Sequence, residues 1–198
     1  RVHYKGKYPK KFEEKYKELQ PEKYKDTIAH VIQKGNTPAG MHISIMVKEI
    51  LDFLKIQPGD TGFDATLGYG GHTKAMLEQL QGRGHIYATD VDPEESAKTR
   101  KRLAEQGFGE DMLTVKLQNF CTIDEIAKEV GGFDFILADL GVSSMQIDNP
   151  KRGFSFKVDG PLDLRLNQES GISAAERLDT ISREELAGML DENSDEPY

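Results

Sequence analysis

Short apolar runs and helical repeats alternate along the chain from residue 41 onward. One run with the character of a strand begins at Thr61, and three others span 84–89, 112–117 and 133–138. Apolar residues at helical spacing occupy 41–54, 73–80, 93–105 and 123–130. This alternation predicts an α/β fold with a parallel sheet. The run at 133–138 is almost continuously apolar, which is typical of a strand buried on both faces.

A cluster of glycines separates the first strand from its helix. Gly68, Gly70 and Gly71 stand between a strand that ends near Asp64 and a helix predicted to begin near Thr73. Glycines let the backbone approach a ligand closely, and the free N–H groups at a helix start can donate to it. The spacing is G-x-G-G, however, and a dinucleotide fingerprint is G-x-G-x-x-G. A tight connection that binds no ligand is the alternative.

Polar or aromatic residues follow the ends of all four predicted strands. They are Asp64, Asp90, Phe120 and Asp139. Ligands of parallel sheets gather at the carboxyl ends of the strands, so we expect these residues to share one site. Asp90 follows Gly68 by 22 residues, close to the spacing of about 20 at which nucleotide-binding units place a carboxylate on the ribose. Asp92, just before Pro93, better suits a helix N-cap.

Residues 139–165 form a long loop that is dense in Gly, Ser, Asp, Arg and Phe, a composition that suits substrate handling. Two helices with capping-box signatures follow, at 173–178 and 182–192. We find no further strand, so we expect a sheet of four strands and a sequence that is a fragment. The expected divisions are a basic helical extension and linker at 1–40, a Rossmann-like core at 41–150, and at 151–198 a substrate loop followed by helices.

Charge is distributed unevenly. Residues 1–40 carry ten Lys or Arg against five Asp or Glu, a balance of +5, which leaves −13 on residues 41–198 within the net charge of −8. Four aromatic residues recur at every fourth position of the basic part, at Tyr4, Tyr8, Phe12 and Tyr16. Aromatic residues among lysines suit single-stranded RNA, and they equally suit packing of this arm on the acidic body. Both interpretations stay open.

Composition also limits the location and the chemistry. Cys121 is the one cysteine, so no disulfide can form within the chain, and no apolar run is long enough for a signal or a membrane span. We therefore expect a cytoplasmic protein that does not contact membranes. The five histidines show no ligand spacing with one another or with Cys121, so we expect no metal site.

Six motifs together resemble one known family. They are DATLGYGGH at 64–72, DVDP at 90–93, NF at 119–120, DLGVSSMQ at 139–146, RGFSF at 152–156 and DGPLDLR at 159–165. Their order and spacing are similar to those of the small-subunit ribosomal RNA cytosine-N4 methyltransferases of the RsmH or MraW type. The resemblance implies a class I fold that uses S-adenosylmethionine to methylate a cytosine of 16S rRNA in the small ribosomal subunit. It also implies cofactor contacts, at Gly70, Gly71, His72, Asp90, Phe120, Asp139 and Gln146.

The resemblance also implies roles for the loop after the fourth strand. Asp139 lies where amino-methyltransferases keep a catalytic acid or amide, so we expect it to accept a hydrogen bond from the cytosine N4. That loop lacks the usual aromatic residue, and Phe154 or Phe156 either replaces it or packs the loop on the body. We expect the remaining substrate-loop residues to be Ser143, Ser144 and Arg152.

Four departures set limits on the resemblance. Family members continue beyond the equivalent of Tyr198, Tyr69 stands where we expect a more polar residue, and Met145 replaces a proline. The basic arm lies outside the common family core, which favours a paralogous branch. Methylation of another RNA base, a nicotinamide-dependent oxidoreductase and a non-catalytic RNA-binding module are the alternatives, and dimerisation stays open.

Overall fold

The protein is described by a computed structural model that covers residues 44–194. The chain divides into two compact units between Ser143 and Ser144. The basic arm at 1–40 and its aromatic residues lie outside the described part, so the two interpretations of the arm stay predictions.

The first unit is a parallel sheet with helices between the strands. Its elements are α1 (Val47–Leu54), β1 (Thr61–Asp64), α2 (Gly71–Leu80), β2 (His85–Asp90), α3 (Pro93–Glu105), β3 (Leu113–Leu117), a 3₁₀ turn (Phe120–Thr122), α4 (Ile123–Val130) and β4 (Phe135–Leu137). The strand order is β3-β2-β1-β4, and every pairing is parallel. The predicted α/β class and the four strands are confirmed for the described residues.

Side chains alternate between the two faces of the sheet and form two apolar clusters. On β2, Ile86 and Ala88 join the larger cluster with the inner faces of α2 and α3, and Tyr87 joins a smaller one with α4. The ring of Phe135 fills the space over Gly62, where an added Cβ would lie 2.1 Å from the ring. The sheet therefore has helices on both faces, and its carboxyl edge carries the loops.

Local signals fix the start of the helix after β2. The carboxylate of Asp92 accepts hydrogen bonds from the backbone N–H groups of Glu94 at 3.1 Å and Glu95 at 3.2 Å, and Pro93 occupies the first turn. Cap residues of this type satisfy donors that have no partner within the helix. The prediction that Asp92 is an N-cap is confirmed, and α3 ends at Glu105 as expected.

The fourth strand differs from the sequence-based prediction. It spans Phe135–Leu137 and not 133–138, and Ile136 in its centre is 52% exposed. The expectation of burial on both faces is wrong at this position. The physical reason is that β4 is the edge strand of the described sheet, with β1 as its one neighbour there.

The second unit is helical. It contains α5 (Ser144–Asp148), a 3₁₀ turn (Pro150–Arg152), α6 (Ala174–Thr180) and α7 (Arg183–Ser194), so the long loop predicted at 139–165 is partly helical. The predicted capping box at Ser173 and Glu176 is confirmed, because the Ser173 hydroxyl accepts the Glu176 N–H at 3.2 Å and the Glu176 carboxylate accepts the Ser173 N–H at 2.7 Å. In the described residues, no helix has the length and apolarity to cross a membrane.

Candidate functional site

The turn between β1 and α2 requires glycine for reasons that the structure makes explicit. Gly70 has φ of +77°, and a Cβ there would lie 2.6 Å from the methyl group of Thr99. A Cβ on Gly71 would lie 2.1 Å from the hydroxyl oxygen of Ser44. Both distances are too short for any side chain unless its neighbours move. The turn is therefore packed tightly between the start of the described chain and α3.

Side chains from two other elements hold this turn. Asp90, at the end of β2, accepts the Gly68 N–H at 2.8 Å, and the Thr99 hydroxyl of α3 donates to the Gly68 carbonyl oxygen at 2.7 Å. Arg102 donates to the carbonyl oxygen of Tyr69 and places its guanidinium carbon 3.6 Å from the centre of the Tyr69 ring. Such stacking is favourable because the ring face is electron-rich. Tyr69, a departure from the family pattern, thus anchors the turn to α3.

Asp90 has a structural task besides the one predicted from its spacing. One carboxylate oxygen accepts the Gly68 N–H, and the other accepts the N–H of Asp92 at 2.9 Å. Each carboxylate oxygen can accept two hydrogen bonds, so the residue keeps capacity for ligand hydroxyl groups. Its contact with ribose stays a prediction.

Asp64 lies deepest at the carboxyl edge. It is 1% exposed, accepting the Thr73 hydroxyl at 2.6 Å and the Thr66 N–H at 3.1 Å. Burial raises the pKa of this carboxyl to about 7, against the two hydrogen bonds, which favour the charged form. The charges of Asp139 and Asp90 add to the rise in the pKa, so the carboxyl groups at this edge are electrostatically coupled.

Asp139 follows β4 and meets the start of α2. Its carboxylate lies 3.4 Å from the Nε2 atom of His72, a buried residue, and its own side chain is 47% exposed. Its backbone N–H donates to the hydroxyl oxygen of Thr66 at 3.0 Å. The structure therefore brings the accessible carboxylate of Asp139 next to His72 and the glycines Gly70 and Gly71 before it. The contacts of these residues with a cofactor stay predictions.

Phe120 begins the 3₁₀ turn after β3, and its side chain is exposed. Asn119 shapes this turn, because its side-chain oxygen accepts the Cys121 N–H at 2.9 Å. The β2–β3 ladder pairs Asp90 with Leu117, three residues before Phe120. The sheet therefore carries Asp90 and Phe120 on neighbouring strand ends.

In the second unit, several polar residues of the predicted substrate loop bind one another. Arg165 donates to both carboxylate oxygens of Asp163, at 2.6 and 2.9 Å, and to the Gly171 carbonyl oxygen at 2.7 Å. These hydrogen bonds lower the pKa of Asp163 to about 2. Arg152 is 5% exposed and donates to the carbonyl oxygen of Leu166 at 2.6 Å. It stabilises this unit, and its contact with a substrate stays a prediction.

The other predicted loop residues are placed differently from Arg152. Phe156 is 99% exposed, whereas Phe154 is partly buried. Ser143 is the last residue of the first unit, and Ser144 and Gln146 lie in α5 of the second. Their contacts with cofactor or substrate stay predictions. Among residues 44–194, no cluster of His, Cys, Asp or Glu is arranged to hold a metal ion.

Sequence reasoning missed the residues that support the site. Thr66, Thr73, Thr99 and Arg102 hold the carboxylates or the turn through side-chain contacts. A lone threonine or arginine carries no distinguishing sequence signal. The one usable hint is position, because Thr66 and Thr73 flank the glycine cluster.

Comparisons with a family model and with individual relatives agree on one family. The model of the MraW methylase family matches residues 39–198. A protein of Agathobacter rectalis named ribosomal RNA small subunit methyltransferase H 1 is 86% identical over all 198 residues, which span 57% of that relative. A protein of the same name from Lachnoclostridium phytofermentans is 70% identical over 198 residues, with 54% of its length spanned. The chain thus spans a little over half the length of these relatives.

Among solved structures, an rRNA methylase from Streptococcus thermophilus overlaps 43% of this chain and 50% of its own, with a TM-score of 0.36 and 25% identity. This overlap is small, so the assignment depends on the sequence relatives.

Proposed function

The chain belongs to the MraW methylase family, a family of class I Rossmann-like fold, and we propose that the protein uses S-adenosylmethionine to methylate the N4 amine of a cytosine in 16S rRNA. One observation carries the proposal. The strand order β3-β2-β1-β4 brings the ends of β1, β2 and β4 side by side, with the glycine turn and the accessible carboxylate of Asp139 at the same edge. The order reverses between β1 and β4, which is the position where open α/β sheets bind their ligands.

The residues at this edge fit a nucleoside cofactor. A Cβ on Gly68 would meet nothing closer than the Thr66 carbonyl oxygen, at 3.9 Å, so the backbone there faces open space. Asp90 offers acceptors to ribose hydroxyl groups, and the exposed ring of Phe120 suits the flat face of adenine. We infer that these two residues hold the ribose and the base.

The family resemblance supports the rest of the cofactor contacts. We infer from it that Gly70, Gly71 and His72 border the bound cofactor in the first unit, and that Asp139 combines a cofactor contact with its role in the chemistry. Gln146 is inferred from the resemblance alone.

The chemistry needs a hydrogen-bond acceptor beside the reacting amine. The lone pair of cytosine N4 is delocalised into the ring, and the transfer requires it to point at the incoming methyl group. When bound, S-adenosylmethionine would supply that methyl group as an electrophile and leave as S-adenosylhomocysteine, and the proton that N4 loses would pass to Asp139 or to solvent. Asp139 accepts a hydrogen bond from N4–H, which favours a pyramidal nitrogen and frees its lone pair. The contacts of Asp139 with Thr66 and His72 hold the carboxylate ready for this task.

The proposed RNA substrate is supported by the names of the relatives and by the exposed ring of Phe156. Both relatives described above are named small-subunit rRNA methyltransferases. Phe156, fully exposed in the second unit, offers an aromatic face on which an unpaired RNA base can stack. Enzymes that modify a base must take it out of the stack, and aromatic stacking offsets part of that cost.

Nucleoside analysis tests this proposal. Small ribosomal subunits that lack the modification are incubated with the full-length protein and isotope-labelled S-adenosylmethionine, and the 16S rRNA is digested for mass spectrometry. We expect label in N4-methylcytidine. Label in another nucleoside would replace the N4 assignment with methylation of another base, and the absence of label would contradict the proposed activity.

A further inference from the structure

The backbone ladder between β1 and β4 stops before it reaches Asp139. Its last register pair is Asp64 with Leu137, and the last backbone hydrogen bond runs from the Ala65 N–H to the Leu137 carbonyl oxygen, at 2.8 Å. Asp139 lies two residues farther along. The sheet itself therefore no longer determines the position of Asp139.

A side chain replaces the ladder at this point. The N–H of Asp139 donates to the hydroxyl oxygen of Thr66 at 3.0 Å, although the two residues are 73 positions apart in sequence. Threonine is branched at Cβ, which restricts its side-chain rotamers and the directions in which the hydroxyl can point. The backbone of Asp139 is thus tied to the loop after β1.

Thr66 is in turn anchored to the buried part of the unit. Its N–H donates to Asp64 at 3.1 Å, and the other carboxylate oxygen of Asp64 accepts the Thr73 hydroxyl at 2.6 Å. A continuous series of hydrogen bonds therefore links α2 to Asp139 through the end of β1. The carboxylate of Asp139 meets the same helix at His72, the residue before Thr73.

We propose that Thr66 is a positioning residue that holds Asp139 at the reacting amine. The inference rests on the proposed function, in which Asp139 acts on the cytosine N4. Thr66 acts through the backbone of Asp139, and its role is to hold the carboxylate in place beside the turn between β1 and α2. Displacement of a catalytic group by about 1 Å can cost about a hundredfold in rate.

Two substitutions and a matched control test this role in the full-length protein. Thr66→Val removes the hydroxyl and keeps the shape, and Thr66→Ser keeps the hydroxyl. The control is Thr114→Val, which removes a hydroxyl that lies 2.9 Å from the Nε2 atom of His85, in the amino-terminal part of the same sheet. If Thr66→Val does not fold, Thr66→Ala removes the same oxygen without adding bulk.

The expected results distinguish a positioning role of Thr66 from a role in binding RNA or cofactor. We expect Thr66→Val to lower kcat by about tenfold or more, while KM for RNA changes less than about twofold. Kd for S-adenosylmethionine, which Asp139 also contacts in the proposed function, should change by a smaller factor than kcat. Thr66→Ser restores most of kcat, and Thr114→Val leaves kcat unchanged. An unchanged kcat in Thr66→Val, beside an active wild type, would overturn the inference.

Hydrogen exchange gives a readout that needs no activity. In ¹⁵N-labelled protein, the Asp139 amide should exchange several times faster in Thr66→Val than in the wild type, with no such change in Thr114→Val. An equal exchange rate would overturn the inference even in an active enzyme. If the wild type transfers no methyl group, the proposed function fails, and the exchange rate alone then decides whether Thr66 holds Asp139.

Discussion

Asp64 in the first unit and Asp163 in the second are both buried carboxylates, yet their surroundings move their pKa values in opposite directions. Asp64 meets hydroxyl and amide groups, and burial raises its pKa to about 7. Asp163 meets the guanidinium of Arg165, which lowers its pKa to about 2. The charged form of Asp64 is disfavoured at the candidate site, whereas the charged form of Asp163 is favoured by an ion pair that stabilises its unit.

This contrast distinguishes the candidate site from the ion pair of the second unit. The polar residues of the second unit largely bind one another, as Arg165 does with Asp163 and Gly171. At the edge of the sheet, the charges of Asp90 and Asp139 act on Asp64, and the Asp139 side chain is accessible. We therefore expect substitutions of the carboxylates at the sheet edge to change chemistry or binding, and substitutions of the Asp163–Arg165 pair to change local order.

The largest effect is expected for Asp139→Ala. Turnover at saturating cofactor and RNA should fall about a hundredfold or more, the loss typical of removing one group that stabilises a transition state. RNA affinity should stay near that of the wild type. Single-turnover assays with labelled cofactor and filter binding of RNA measure the two quantities. A rate within about threefold of the wild type would mean that another group acts on N4.

Asp64 should make the stability of the protein depend on pH. Its folded pKa of about 7 lies above the ordinary value of 3.8, so its contribution to stability is fully present below pH 3.8 and is lost as the pH rises through 7. Between pH 5 and pH 8 the loss is roughly 2 to 3 kcal/mol. Asp64→Asn, which cannot titrate, should lack this component.

Urea unfolding of the wild type and of Asp64→Asn at both pH values measures the difference. Titrating groups that do not interact with Asp64 act in both proteins and cancel when the two pH dependences are subtracted. Equal pH dependence in the two proteins would show that Asp64 is already charged at pH 5.

Asp90→Ala should weaken S-adenosylmethionine binding by more than about tenfold, because a charged acceptor of hydroxyl groups contributes roughly 1.5 to 3 kcal/mol. Part of the loss would come from the turn, since Asp90 also accepts the Gly68 N–H. Thr99→Val serves as the control, because it loosens the turn at the Gly68 carbonyl oxygen and keeps the carboxylate. Calorimetry should show a clearly smaller loss of S-adenosylmethionine affinity for the control. Equal losses in the two variants would contradict the contact of Asp90 with the ribose.

The smallest effect on the site is expected from Asp163→Ala in the second unit. Loss of the carboxylate leaves Arg165 without its bidentate acceptor, so amide exchange at 163–177 should rise severalfold. The dissociation constant of S-adenosylmethionine should change less than about twofold. Exchange mass spectrometry and calorimetry on the same preparation measure the two quantities. A large loss of cofactor affinity would show that the Asp163–Arg165 pair also supports cofactor binding.

The sequence predicted those elements whose signals are local. The cap at Asp92 and Pro93 marks the start of α3, and the apolar spacing at 123–130 matches α4 residue for residue. The length of β4 was mispredicted because its apolar run does not reveal that it is the edge strand of the described sheet. Local chemistry is readable from sequence, but the neighbours of a strand are not.

The candidate site shows the same division between local signals, which the sequence reveals, and contacts between distant residues, which it does not. Asp90, Phe120 and Asp139 were predicted to lie at one edge because each stands at or just after the end of a strand, and parallel strands end at one edge. Thr66 was missed because its partner lies 73 positions away, and nothing near it in sequence marks that contact. Arg152 was predicted to contact the substrate, which stays a prediction, and nothing in the sequence indicated its hydrogen bond to the carbonyl oxygen of Leu166.

The most direct test of a cofactor site at the carboxyl edge of the sheet is the amide chemical-shift change of the full-length ¹⁵N-labelled protein on addition of S-adenosylmethionine, with NAD as the control ligand. We expect the largest changes at 68–72, 90–92, 119–120 and Asp139, and none of these changes with NAD. Largest changes in residues 150–194, or the same pattern with NAD, would contradict a cofactor site at the carboxyl edge of the sheet.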